Sequence, residues 1–226
     1  RFAVRWRALI PALRRPLSLG VAGEAMLRTV YGRHGVLGVG PYPRALADTT
    51  VKVPAFDRAR AAALLDSAGW RAGTDGVRAK GGRPLAFAIT VPTSSPSRMR
   101  YAVLLQEQLR NIGARVDINS MEFNASQERV TSGRFDATLV TIGQDPPRTG
   151  VGQFWASASK PPAGANFGGY NNPAVDALVD SLAYTRDPAR SDAQWRRMSQ
   201  MIVTDAPAIW LFEYTPVAGG DRRIRT

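Results

Sequence analysis

The spacing of apolar residues predicts alternating strands and helices through the middle of the chain. Leu85, Phe87, Ile89 and Val91 alternate with other residues, as in a strand with one apolar face. Residues 95–113 follow with apolar positions three and four apart, which is the spacing of a helix, and end on a glycine. Residues 114–119 then predict a second strand, 124–133 a short helix capped by Asn124, and 136–143 a nearly all-apolar third strand. The chain is therefore predicted to be an α/β protein.

The order of these elements predicts where a ligand would bind. Strands joined by helices through short connections imply parallel strands with right-handed crossovers. Ligands of such sheets lie beyond the carboxyl ends of the strands. The loop after the third strand, residues 143–155, is therefore the first place to look for ligand contacts, and it contains Gln144, Asp145 and Arg148.

The flanking segments define three predicted regions. Residues 1–16 carry two prolines and are expected to be an irregular basic segment. Residues 17–206 are expected to form one α/β domain, with helices over 17–31, from an Asp57 cap to Gly69, and twice within 173–204. A small hairpin follows Gly69. Residues 207–226 are expected to form a strand that leaves this domain, followed by a basic tail.

The charge distribution argues against a nucleic-acid surface. The net charge is +12, but residues 1–34 hold seven arginines against one glutamate, and residues 221–226 hold three arginines against one aspartate. The segment between them is nearly balanced, and its aromatic residues do not alternate with basic ones as a single-strand-binding surface requires. A basic nucleic-acid-associated domain that uses its arginine-rich ends stays as the alternative.

Catalytic chemistry has few candidates in this sequence. The absence of cysteine removes disulfides, thiolate metal sites and cysteine nucleophiles. The single histidine, His34, lies between glycine-rich turns without a nucleophile-elbow motif, so an exposed loop residue is expected and a hydrolase is only a third possibility. No cluster of metal-ligating residues is evident. We therefore expect a protein without catalytic activity, metal or cofactor.

Two loops carry candidate ligand contacts, each with a plainer structural explanation. Asp145 precedes two prolines and either caps a turn or pairs with a ligand ammonium group. Arg148 is either solvated or meets a ligand carboxylate. The stretch NFGGYNNP either simply caps the following helix or brings a glycine-rich backbone close to a ligand; its candidate contacts are Asn166, Phe167, Gly168 and Tyr170.

An ordered series of stretches resembles the extracytoplasmic solute-binding proteins of family 5. These are ARAAALLDSAGW, GTDGVRAKGGRPLAFAIT, LLQEQLRNIGARVDI, GRFDATLV and the segment from NFGGYNNP to WLFEY, in order over residues 13–214. The resemblance implies a periplasmic-binding-protein type II-like fold, mainly its second lobe, with a mixed sheet and flanking helices. It also implies a substrate-binding component of an ABC importer, located outside the cytoplasmic membrane. Such a protein holds a peptide or related small solute between two lobes and passes it to permease subunits.

The resemblance also implies a partial molecule. The family's N-terminal part, including most of its first lobe, has no counterpart here, which we interpret as a truncated or frame-damaged reading of a longer gene. Two departures from the family are evident. Ala22 and Gly23 stand where an acidic–basic pair is usual, and the loop at 143–150 retains one acid, Asp145.

Overall fold

A six-stranded mixed sheet organises the protein. The computed structural model describes the backbone of residues 2–6, 11–44, 47–141 and 148–214. The large sheet contains β1 (Phe2–Trp6), β2 (Gly35–Leu37), β6 (Ala86–Pro92), β7 (Arg115–Met121), β8 (Ala137–Thr141) and β9 (Ala208–Tyr214). A second, small sheet contains β3 (Arg71–Ala72), β4 (Arg78–Lys80) and β5 (Arg83–Pro84). The helices are α1 (Pro11–Leu19), α2 (Gly23–Tyr31), α3 (Arg58–Ser67), α4 (Pro96–Arg110), α5 (Phe123–Thr131), α6 (Gly152–Trp155), α7 (Pro173–Tyr184) and α8 (Pro188–Asp205).

The large sheet has the strand order β2-β9-β1-β8-β6-β7. Strand β6 runs parallel to both β7 and β8, which confirms the predicted strand–helix–strand–helix–strand unit. Strands β1 and β9 run antiparallel to their neighbours in the middle of the sheet. The sheet is therefore mixed, as predicted.

Strand register defines two ends of this sheet. Thr141, the last residue of β8, pairs with Phe2 of β1, and Phe2 in turn pairs with Phe212 near the end of β9. We call the end where β6, β7 and β8 finish the carboxyl end of the sheet. The other end, where β6 and β8 begin and where β9 enters from α8, is the amino end.

Helices cover both faces of the sheet. One face packs against α1, α2, α3 and α4, and the other against α6, α7 and α8. Successive side chains of β9 point to opposite faces of the sheet and so pack into both cores. Ile209 belongs to the first core, and Trp210 packs against the second. Trp155 and Trp195 are almost fully buried in the second core. The sheet is thus held rigidly, and its strand ends have fixed positions.

Three expectations about the chain's segments are corrected. The region 1–16, expected to be irregular, contains β1 and the start of α1. Helix α1 tolerates Pro16 because Leu13 and Leu17 are buried in the core that also contains α3, and this packing outweighs one lost backbone hydrogen bond. The single helix expected over 17–31 is two helices. The strand expected to leave the domain lies between β2 and β1, while the domain boundaries themselves stay a prediction.

A buried arginine explains the hairpin that follows α3. Asp57 caps α3 as predicted, accepting a hydrogen bond from the Arg60 amide at 2.8 Å, and Gly69 ends the turn with φ +84°. Arg78 then reaches under the hairpin and donates to the carbonyls of Trp70 and Ile112, at 2.7 and 2.9 Å. The helix, the hairpin and the end of α4 are therefore joined by one guanidinium group.

The cap of α5 also differs from the prediction. Glu122, not Asn124, is the N-cap, and its carboxylate accepts hydrogen bonds from the amides of Asn124 and Ala125 at 2.7 and 3.2 Å. Glutamate is an uncommon cap, so the preference for asparagine pointed to the wrong residue. The Glu122 carboxylate, just after β7, therefore stabilises the start of α5.

Candidate functional site

The carboxyl end of the sheet brings together the ends of three parallel strands. The Thr93 amide, just past β6, donates to the Met121 carbonyl at the end of β7 at 2.8 Å. The chain then turns at once into α4, with the Ser95 amide 3.2 Å from the Pro92 carbonyl. Thr93, Ser94 and Thr141 are exposed here. This end of the sheet therefore presents several hydroxyl groups to solvent.

The first turn of α4 adds a positive end to this surface. Ser95 occupies the N-cap position without making a side-chain cap hydrogen bond, and its hydroxyl lies 3.5 Å from that of Ser97. The helix has 15 residues, so its aligned peptide dipoles place partial positive charge at this turn. Oxygen acceptors are favoured at such a position.

Arg98 carries the full positive charge at the carboxyl end. Its Nη2 donates to the Thr141 hydroxyl at 3.2 Å, which links α4 to the end of β8. The side chain is half-buried, and burial lowers the pKa of its guanidinium while the neighbouring Tyr31 acts in the opposite direction. A partly desolvated arginine among hydroxyl groups is suited to binding a carboxylate.

Aromatic packing fixes the position of Arg98. Tyr101, one turn further along α4, stacks on Phe212 of β9 with ring centroids 4.8 Å apart. Tyr31, at the end of α2, lies 4.8 Å from the same ring. These contacts hold the start of α4 against the sheet, so the arginine projects from a rigid support.

The predicted loop after β8 is only partly described. Gln144 and Asp145 lie outside the described residues. Arg148 begins a single 3₁₀ turn, Arg148–Val151, and its side chain also lies outside what the structure describes. This turn is the next described element after β8, which ends at Thr141. Ligand contacts by Gln144, Asp145 and Arg148 stay predictions.

The second predicted loop uses its polar side chains internally. Asn166 is fully buried, donates through Nδ2 to the carbonyls of Tyr170 and Ala156 at 2.8 and 3.0 Å, and accepts the Tyr170 amide at 2.9 Å. Phe167 is half-buried and Gly168 is buried. Asn172 caps α7 by accepting from the amides of Ala174 and Val175. These contacts match the plainer explanation of NFGGYNNP.

Tyr170 lies away from Arg98 in this arrangement. Its hydroxyl donates to Asp205 Oδ2 at 2.6 Å, at the end of α8 and thus at the amino end of the sheet. Burial, followed by the Asp205 contact, raises the pKa of the phenol. The structure therefore does not bring the Tyr170 hydroxyl to the strand ends where the first loop begins, and its role in ligand binding stays a prediction.

Sequence reasoning overlooked the residues at the start of α4. Ser95, Ser97 and Arg98 lie directly after a predicted strand, so the positional rule that selected Asp145 applied equally to them. They were passed over because the segment fits an ordinary helix start, where serine is common. A hydroxyl-rich turn followed by arginine was the available signal.

A large, mostly apolar cavity lies elsewhere. It has a volume of about 760 Å³ beside α2 and the start of β9, with mostly apolar walls that include Val53, Phe56 and Ile209. Its charged side chains are Glu24 and Arg28, which pair with each other. Convergent polar groups usually mark a ligand site, so we assign no function to this cavity. His34 is exposed, and within the described ranges no group of acidic, histidine or cysteine residues could hold a metal.

The fold is that of the type II periplasmic binding proteins. The oligopeptide-binding protein AppA from Bacillus subtilis, solved in complex with a nonapeptide, superimposes with a TM-score of 0.84 at 22% identity. The match covers 94% of this chain and 44% of that one. The sheet order and both helical layers thus belong to a known architecture.

The sequence gives the family. Residues 9–162 match the model of the bacterial extracellular solute-binding proteins, family 5 (middle region), and the chain belongs to that family. Protein XP55 of Streptomyces lividans is 26% identical over 202 residues, which are 86% of this chain and 36% of that protein. The glutathione-binding protein GsiB of Pectobacterium atrosepticum is 24% identical over 225 residues, with 95% and 41% coverage. The chain therefore spans about two-fifths of the length of these relatives.

Proposed function

We propose that this chain is part of the substrate-binding component of an ABC importer that takes up peptides or a related small solute. Family membership and the polar carboxyl end of the sheet support this function together. The relatives named above include proteins described as glutathione-binding and oligopeptide-binding. They favour solute binding over the nucleic-acid alternative and over a hydrolase that uses His34.

The ligand would lie against the carboxyl end of the sheet. Arg98, with the Ser95 and Ser97 hydroxyls and the first turn of α4, would bind a carboxylate of the solute. Asp145 would pair with an ammonium group from the loop after β8, and Gln144 and Arg148 would contact the ligand from the same loop. The proposed binding surface rests on one observation. A half-buried arginine and the start of a helix lie among exposed hydroxyl groups at the strand ends.

The solute would be captured when two lobes close and released when they open. The chain corresponds to most of one lobe, and the relatives' additional length supplies the other. A ligand that contacts both lobes favours the closed state by its differential contacts. Such a protein binds without catalysis or cofactor, works outside the cytoplasmic membrane and docks on permease subunits. No helix in the described part of the chain is long and apolar enough to cross a membrane.

A thermal-shift screen against peptides, metal chelates and sugars tests this function. A solute that binds only the folded state raises the apparent melting temperature. We expect short peptides at millimolar concentration to raise it. Because one wall of the cleft comes from outside this chain, we expect binding by the chain alone to be weak.

The Arg98→Gln variant identifies the binding surface. Loss of a charge-assisted hydrogen bond of about 1.5–3 kcal/mol should weaken peptide affinity roughly tenfold or more. Arg110→Gln, at the exposed far end of the same helix, is the matched control and should bind as the wild type does. Equal affinity of both variants would remove Arg98 from the site. Affinity for DNA that falls steeply with salt, without any peptide effect, would favour the alternative function.

A further inference from the structure

A polar cavity at the amino end of the sheet is separate from the proposed peptide site. It has a volume of about 570 Å³ and lies between the start of α1, the end of α8 and the loop before α7. Its polar lining includes Arg14, Arg15, Asn171, Asn172 and Asp205. Because β9 enters the sheet just after Asp205, this cavity is at the opposite end of the strands from Arg98.

The Asp205 carboxylate forms one side of the cavity, and one of its oxygens accepts two hydrogen bonds. Asp205 Oδ2 accepts hydrogen bonds from the Tyr170 hydroxyl at 2.6 Å and from Asn172 Nδ2 at 2.8 Å. Both hydrogen bonds that Asp205 accepts within the described part of the chain go to this oxygen. The side chain is consequently fixed in position, and Oδ1 retains its capacity to accept.

The other side is an arginine with an unused donor. Arg14 Nε is buried and has no hydrogen-bond partner among the residues that the structure describes. Burial lowers the pKa of this guanidinium, and the nearby Asp205 carboxylate partly offsets that effect. Arg14 and Asp205 line the same cavity, yet they form no ion pair within 4.0 Å in the described ranges. A buried donor left in this state destabilises the fold unless another acceptor reaches it.

The two unused groups are complementary to a single small molecule. An acceptor is needed at Arg14 and a donor at Asp205 Oδ1, and the surrounding charges favour an anion beside the arginines and a cation beside the carboxylate. We propose that this cavity binds a small zwitterion of the α-amino acid class, with its carboxylate on Arg14 and its ammonium group on Asp205. Arg15 and Asn171 would bound the site on the open side.

The test follows the Arg14 side chain directly by NMR. Glycine, the smallest molecule with both charged groups, is titrated into the ¹⁵N-labelled 226-residue chain while the Arg14 Nε–H and Asn172 side-chain amide signals are recorded. Acetate and methylammonium serve as single-charge probes. We expect a saturable shift of both signals with glycine, and at least tenfold weaker binding of either single-charge probe.

Two variants test the two charged groups of the cavity separately. Arg14→Gln removes the guanidinium, and Asp205→Asn keeps an acceptor for Tyr170 and Asn172 while it removes the charge. Each should weaken glycine binding at least tenfold, whereas Arg100→Gln, exposed on α4, should have no effect. Absence of a saturable shift, equal binding of acetate and glycine, or unchanged affinity in both variants would overturn the proposal. Peptide binding at Arg98 is unaffected by any of these outcomes.

Discussion

Two arginines near opposite ends of α4 have opposite uses. Arg78, under the hairpin, is 8% exposed and donates to Trp70, Ile112 and Asp66, all within its own fold. Arg98, at the carboxyl end of the sheet, is half-buried and reaches an exposed hydroxyl, that of Thr141. A buried arginine with several protein acceptors stabilises the fold. A partly exposed one beside hydroxyl groups and strand ends is the kind that we propose for ligand binding.

Removal of Arg78 should give the largest change in stability. Arg78→Ala leaves the buried carbonyls of Trp70 and Ile112 without their donor. Each orphaned acceptor costs about 1–3 kcal/mol, so we expect the free energy of unfolding to fall by the sum of the two. Urea denaturation followed by circular dichroism measures it. Arg83→Ala, on the exposed strand of the same hairpin, should change it by less than about 0.5 kcal/mol. Similar losses in both variants would show that the hairpin does not depend on the buried guanidinium.

Two glycine variants separate the cost of a clash with Arg78 from the cost of backbone strain in the same region. Gly113 has φ +85°, and a Cβ there would lie 2.6 Å from Arg78 Cγ, whereas Gly76 has φ +80° and open space around it. Gly113→Ala should destabilise by about 2–4 kcal/mol, because it combines strain with displacement of the arginine. Gly76→Ala carries strain alone, about 1 kcal/mol. Equal losses would mean that Arg78 moves without penalty.

A Tyr170 variant tests whether the tyrosine hydroxyl contributes to stability or to peptide binding. Tyr170→Phe removes the hydrogen bond to Asp205, so the free energy of unfolding should fall by about 1 kcal/mol. Peptide affinity should stay unchanged, since the hydroxyl lies at the amino end of the sheet. Thermal denaturation and a peptide titration of the same sample check both expectations. A loss of affinity with unchanged stability would return Tyr170 to the ligand site, as the sequence predicted.

Acid should weaken the hairpin through Asp66. The hydrogen bond from Arg78 lowers the pKa of this carboxyl, with the charge of Arg78 adding to the effect. Its stabilising effect is therefore present above the ordinary carboxyl pKa and is lost as the pH falls through the lowered folded value. Because the Asp66 side chain is 45% exposed, we expect a small effect. NMR titration of the carboxyl group measures the shift, which should disappear in Arg78→Ala; persistence would point to another cause.

Segments whose apolar residues recur at regular spacing could be predicted from sequence, because that spacing reflects which side chains are packed. The parallel unit of β6, β7 and β8 was predicted because its apolar spacing, its glycine stops and its short connections agree. The start of the chain was mispredicted because Pro16 argues locally against a helix, whereas α1 is stabilised by distant contacts with α3. Propensity rules do not contain such contacts.

The candidate site was harder to predict than the fold. The end of the sheet followed from strand order alone, and that end carries Arg98. Which polar residues serve the fold depends on three-dimensional neighbours: Asn166 and Tyr170 were selected for their loop, and each is engaged by a partner that no spacing rule identifies. Asp205, 35 positions away from Tyr170, is such a partner.

A map of peptide-induced chemical shifts tests whether peptides bind at the carboxyl end of the sheet. Trialanine is titrated at millimolar concentration into the ¹⁵N-labelled chain, and backbone amides are followed. We expect saturable shifts at Ser95, Ser97, Arg98 and Thr141, with the hairpin signals from 71 to 84 unchanged and the shifts lost in Arg98→Gln. Saturable shifts confined to the hairpin, to the apolar cavity beside α2 or to the amino end, or their survival in Arg98→Gln, would contradict it.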